Sequence, residues 1–151
     1  MTPLPSLPQR VLAIHETAGT WIDRLQPLFG LAIRLYVAKV FLFSGLTKLR
    51  DWDITVALFT NEYHVPVLPP EIAAYLGTGA ELLLPALLAA GLFSRFTALA
   101  LFAFNIVAAT SYPDISDAGI VQHTLWGAML LVTFVYGPGR FAVDSLLSKK
   151  S

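Results

Sequence analysis

Glu81 is the single charge in the run IAAYLGTGAELLLPALLAAGLF, Ile72 to Phe93. A carboxylate among that many apolar residues belongs at membrane depth. It is expensive in hydrocarbon, so it faces a helix bundle and takes a partner. Another apolar run, Leu31 to Leu49, carries three candidate partners: Arg34, Lys39 and Lys48. His123, near the start of a later apolar run, adds a second group able to exchange protons near neutral pH. Two readings of Glu81 stand. Paired with a cation, it fixes helix register. Left protonatable or in contact with a ligand, it serves a proton relay beside a basic anchor. His123 reads either as a satisfied interfacial histidine or as a metal or haem ligand. Without a second histidine on a facing helix, no metal site is expected.

Helical geometry sorts these groups. Positions 34, 41, 45 and 48 fall on one narrow arc, so Arg34, Phe41, Gly45 and Lys48 share a stripe. Arg34 and Lys48 lie about 21 Å apart along the axis and can each reach towards opposite head-group layers. Lys39 is about 140° away from that stripe. By depth alone, Lys39 matches Glu81 best and is the first expected partner, with Lys48 second. Gly77, Thr78, Glu81, Pro85 and Leu88 share a face on the acidic run. Gly45 and Gly77 permit close helix approach. Pro85 lacks an N–H and so frees the carbonyl of Glu81. Asn105 reads as an interhelical hydrogen bond.

The elements that hold these residues are membrane spans. The chain has 151 residues, 56% hydrophobic and 13% charged. A soluble domain is about a quarter charged. Formal net charge is zero, which argues against nucleic acid. There is no cysteine, which rules out disulfides, thiolate metal sites and a dithiol relay within this chain. Four spans are expected, at about 28–49, 71–93, 96–112 and 119–137, each near the roughly 20 apolar residues that a crossing needs. The predicted fold is therefore an all-α membrane protein, a four-transmembrane-helix bundle spanning 28–147. Ahead of it, residues 1–27 predict an amphipathic interfacial helix, and residues 148–151 a short tail. Arg10, Glu16, Asp23 and Arg24 interrupt residues 1–27, so targeting is expected to rest on the first span.

Basic residues set the orientation. Arg10, Arg24, Arg34, Arg95, Arg140, Lys149 and Lys150 fall on one side, and only Lys48 and Arg50 on the other, beside several acids. Both termini are expected in the cytoplasm. In residues 8–29, Val11, Ile14, Ala18, Trp21 or Ile22, Leu25 and Leu28 recur at helical spacing. That stripe suits a membrane surface or a partner subunit. The loop from Asp51 to Pro70 opens with a segment suited to a short helix capped by Asp51 or Asp53, and closes on prolines. Its Trp52, Tyr63 and His64 suit either a lid over the outer mouth or an interfacial aromatic belt.

At these residues the chain resembles the DoxX family of four-helix membrane proteins. The resemblance rests on Arg34, Phe41, Gly45 and Lys48 in their spacing, and on the segment Glu62-Tyr63-His64-Val65-Pro66 before LPPEIAAYL. It also rests on Glu81, Pro85, Gly91 and Arg95, on Tyr112-Pro113 with His123-Thr124-Leu125-Trp126, and on Gly137-Pro138-Gly139-Arg140-Phe141-Ala142-Val143-Asp144. Lys39 departs from the family pattern, which has an apolar or small residue there. The resemblance implies a bacterial inner-membrane protein linked to redox or stress metabolism, in the company of thiosulfate:quinone oxidoreductase and terminal oxidase complexes.

Two readings of function follow. In the first, an auxiliary membrane protein holds a quinone or lipid against the polar core, with Phe41 and Leu84 as apolar walls and Glu81 or His123 relaying a proton. In the second, the chain is a structural or assembly subunit of a respiratory complex. Its charges then act as helix glue, and it associates with other membrane subunits or with itself. Transport is disfavoured, because the spans show no internal repeat.

Overall fold

The structure is a computed structural model and describes residues 6–148. Lys149 and Lys150, and most of the 148–151 tail, lie outside the described residues. Six helices follow one another: α1 (Leu7–Lys48), α2 (Trp52–Asn61), α3 (Pro70–Ala90), α4 (Ser94–Thr110), α5 (Asp117–Tyr136) and α6 (Val143–Leu147). The described residues contain no strand. Three helices, α1, α3 and α5, are long and apolar enough to cross a membrane. At 17 residues α4 is shorter, about 25 Å, although it carries just one charge, Arg95 at its start.

Local sequence explains the ends. Proline at the first turn of α3 sacrifices an N–H that has no partner there anyway. Asp51 caps α2 by accepting the Ile54 N–H at 3.0 Å, which decides between the two predicted caps. Ser116 Oγ accepts the Gly119 N–H at 3.1 Å and starts α5. Gly91 ends α3 at φ +72°, a left-handed conformation that glycine adopts without strain. The first turn of α4 is capped from far along the chain. Asp144 accepts the Phe93 N–H at 2.8 Å and the Ser94 N–H at 2.7 Å. Burial opposes ionisation of this carboxyl, but its bonds to Ser94 and Phe93, with Arg34 nearby, outweigh that and hold it below the usual range.

The interfacial helix and first span expected as separate pieces form one helix of 42 residues, about 63 Å long. Pro27 lies inside it and removes one hydrogen bond, but no glycine or second proline adjoins it to turn the chain. The first half projects past the bundle with Val11, Ile14, Trp21 and Leu25 exposed.

Helices α1, α3, α4 and α5 close a ring in that order, each packed on its neighbours, and α2 rests on α3. Val37, Phe41, Leu88, Ala98, Leu101 and Leu130 fill the middle. Phe59 of α2 packs on Ala73 and Ala74. Glycines set the approach distances. A Cβ at Gly45 would lie 3.0 Å from the Glu81 Cβ, and one at Gly77 would lie 3.1 Å from the Phe59 ring. The outer surface of the ring is studded with exposed Leu, Ile, Val and Phe, as a lipid-facing surface must be.

Candidate functional site

A largely buried polar constellation lies where the C-terminal end of α1 meets the middle of α3. Lys48 Nζ is 2.7 Å from Glu81 Oε2, the one ion pair among the described residues. Lys48 Nζ also donates to Ser44 Oγ at 3.0 Å, and Ser44 Oγ donates to Glu81 Oε1 at 3.2 Å. The side chains of Lys48 and Glu81 are 12% and 9% exposed, so the pair is nearly dry. Ser44 was not among the expected residues. Its signal was its place one helical turn before Lys48, on the same face.

Above this pair opens a cavity of about 440 Å³. Its walls are mostly apolar and include six aromatic rings, those of Phe41, Phe59, Tyr63, Phe104, Tyr112 and Trp126. Phe41 meets Phe104 and Trp126 edge to face, with centroids 6.2 and 5.8 Å apart. Tyr63 stands between Phe59 at 4.9 Å and Tyr112 at 5.4 Å. Burial, followed by the negative charge of Glu81, pushes the Tyr63 hydroxyl above its ordinary range, so it remains a neutral donor. Ser111, at the end of α4, also lines the cavity. It is 3% exposed, and its Oγ has no partner among the described residues. A buried hydroxyl without a partner is costly, and Thr78 Oγ1 and Ser94 Oγ are in the same state elsewhere among the described residues.

His123 of α5 lines the same cavity. Asn105 Nδ2 donates to the His123 carbonyl at 2.9 Å, which orients the amide across α4 and α5 as the sequence predicts. Asn105 Oδ1 therefore faces His123 Nδ1, at 2.8 Å, and must accept from it. In the neutral ring the lone pair then sits on Nε2.

The roof is the 51–70 segment, tied down twice. Thr55 Oγ1 donates to the Lys48 carbonyl at 2.7 Å, and the His64 N–H donates to the Ser111 carbonyl at 2.7 Å. Tyr63 reaches the cavity; the His64 side chain lies outside its lining, and Trp52 packs on Tyr75 at 4.5 Å instead.

Two expected members of the polar site lie elsewhere. Lys39 does not pair with Glu81. It is exposed on the outer side of α1, with Nζ 5.9 Å from the Phe43 ring centroid. Depth favoured it, but it lies about 180° around the helix from Lys48, and rotation decides. Arg34 sits at the far end of the bundle, 1% exposed. Its Nη2 donates to the Phe141 carbonyl at 2.6 Å and its Nη1 to the Leu88 carbonyl at 3.4 Å. Arg34 thus staples the C-terminal segment to α3. Pro85 is buried in α3, and Leu84 packs into the apolar core rather than the cavity wall. No three His, Asp or Glu residues converge on a metal position among the described residues.

The family model for DoxX matches residues 29–113. The chain belongs to the DoxX family. The match takes in α2, α3, α4 and the bundle half of α1, and with them Lys48, Glu81, Tyr63 and Ser111. His123 and the Asp144 cap lie beyond it. An uncharacterized protein of Haemophilus influenzae is 29% identical over 128 residues, covering 79% of this chain and 83% of that protein. No solved structure matches this DoxX protein.

Proposed function

We propose that this DoxX protein binds the head group of a quinone or a lipid of like shape in the aromatic cavity, as an auxiliary to membrane redox or stress metabolism. The observation that carries the reading is the 440 Å³ cavity itself, lined by six aromatic rings, by the Lys48–Glu81 pair and by Ser111. A ring of aromatic side chains suits a flat, largely apolar head group. A quinone supplies the two-electron, two-proton chemistry that no side chain of a cysteine-free chain supplies. The protein's own part is to position the head group, exclude water and handle protons. Tyr63 and Ser111 offer hydroxyl donors, His123 Nε2 offers a lone pair, and Lys48 holds Glu81 in place.

Quinone content of the purified protein tests this. Wild type is expected to retain quinone through purification. Ser111→Ala is expected to weaken retention about three- to tenfold, the worth of one hydrogen bond. Thiosulfate- or thiol-dependent quinone reduction in membranes should fall in parallel. If wild type retains no quinone, and reduction rates match those of a deletion strain, this reading fails.

A second reading, a structural or assembly subunit of a respiratory complex, draws on the exposed apolar stripe of the first half of α1, which offers a docking surface to another subunit. It leads to a loss of the partner complex on deletion, with quinone content unchanged.

The membrane placement that goes with both readings is a bacterial inner-membrane bundle of four spans with both termini cytoplasmic. In it α4, with its neighbours, completes the crossing despite its length. Reporter fusions after Ser94 should read cytoplasmic, and fusions at Asn61 or Asp117 periplasmic. A cytoplasmic signal at Asn61 would overturn this topology.

A further inference from the structure

At the end of the bundle opposite the Lys48–Glu81 pair, a groove of about 770 Å³ opens between α1, the end of α5 and the 137–140 turn. Backbone shape makes the space. A Cβ at Gly30 would meet nothing within 4 Å. Gly137 and Gly139, at φ +85° and +72°, turn the chain back against Pro27 and bring Arg140 to the rim. Arg24 stands on the α1 side of the same groove, its guanidinium 4.6 Å above the Trp21 ring.

Neither arginine has a carboxylate partner, because Lys48–Glu81 is the one ion pair among the described residues. Asp23 also lines the groove and accepts from Gln26 Nε2 at 3.0 Å, so the two guanidinium groups there outnumber the single carboxylate. Beyond the arginines the walls turn apolar, with Phe29, Ile33 and Val132. From Arg24 to Ile33 is nine residues, about 14 Å along α1. The exposed rings of Trp21 and Tyr136 flank this level, as aromatic residues do at a membrane interface. Two unpaired guanidinium groups above an apolar trough complement a phosphodiester with an attached acyl chain.

We infer that this groove binds an anionic phospholipid, with Arg24 and Arg140 clasping the phosphate and Phe29, Ile33 and Val132 carrying the first part of an acyl chain. Bound there, the lipid joins the projecting half of α1 to the end of α5. The site is independent of the quinone reading.

Native mass spectrometry of the full chain, extracted from bilayers holding equal phosphatidylglycerol and phosphatidylcholine, tests it. Wild type should retain phosphatidylglycerol preferentially. The double variant Arg24→Gln/Arg140→Gln should lose that preference about thirtyfold, from the usual contribution of two basic residues at an anionic surface. Gly30→Leu keeps both arginines but fills the trough, and should also release the lipid. Equal retention of both lipids by wild type, or undiminished phosphatidylglycerol in the two variants, would overturn the assignment. Displacement of the lipid by millimolar inorganic phosphate would overturn it too, because the site would then recognise the free anion.

Discussion

Glu81→Gln is expected to destabilise this protein by about 3–5 kcal/mol, the usual consequence of removing one partner of a buried ion pair. The substitution leaves the Lys48 ammonium, nearly dry and 2.7 Å from the former carboxylate, without its counter-charge. Lys48→Met should cost a similar amount, because Glu81 would keep only the Ser44 hydroxyl. Combining Lys48→Met with Glu81→Leu removes both charges and should recover most of the loss, since a pair of apolar residues needs no desolvation. Lys39→Met is the control. Its side chain points away from the bundle, so the change should stay within about 1 kcal/mol. Unfolding of the four variants in detergent, followed by helix content, measures all of these. No recovery in Lys48→Met/Glu81→Leu, with recovery in a fifth variant, Glu81→Gln/Lys39→Met, would show that the pairing is wrong.

Gly91→Ala should cost about 2–5 kcal/mol. The sum has two parts. Alanine at φ +72° loses roughly 1–2 kcal/mol relative to glycine. The added methyl would also run into Arg34 Nη1 and lie 2.8 Å from the Ala142 Cα, and overpacking of this kind costs about 1–3 kcal/mol. The collision is with the staple itself: Arg34 would have to give up the Leu88 or Phe141 carbonyl, and the Asp144 cap on α4 would loosen with it. Gly79→Ala makes the comparison clean. It lies in the same helix, and its Cβ would meet nothing within 4 Å. There the gain in helix propensity should leave stability unchanged or up to about 1 kcal/mol higher. Thermal unfolding of the two variants side by side decides the matter. Equal melting temperatures would mean that Arg34 and the C-terminal segment do not meet at Gly91.

The quinone and lipid assays read different ends of the bundle. Loss of quinone in Ser111→Ala with phosphatidylglycerol retained, and the reverse in Arg24→Gln/Arg140→Gln, would separate the two sites within one preparation.

Residue types and spacing alone determined that this chain is helical and apolar, that Glu81 needs a partner from the first long helix, and that Gly45 lies at a close crossing. They also determined that Asn105 bonds across helices and that an aspartate opens α2. These features depend on one helix at a time: periodicity gives a residue its face and its depth, and composition gives the cost of leaving it alone. The choice of Lys48 over Lys39 depended on how α1 is rotated against α3, and only the packed ring sets that angle. The staple from Arg34 uses backbone carbonyls of Leu88 and Phe141, acceptors that every residue carries and no residue type advertises. Asp144 caps a helix fifty residues upstream, a pairing that local spacing cannot express. Nothing in the sequence marks Ser111; the 51–70 segment folds over it, and the two together line the cavity. In each case the deciding partner is distant in sequence, and tertiary packing alone brings it within hydrogen-bond reach.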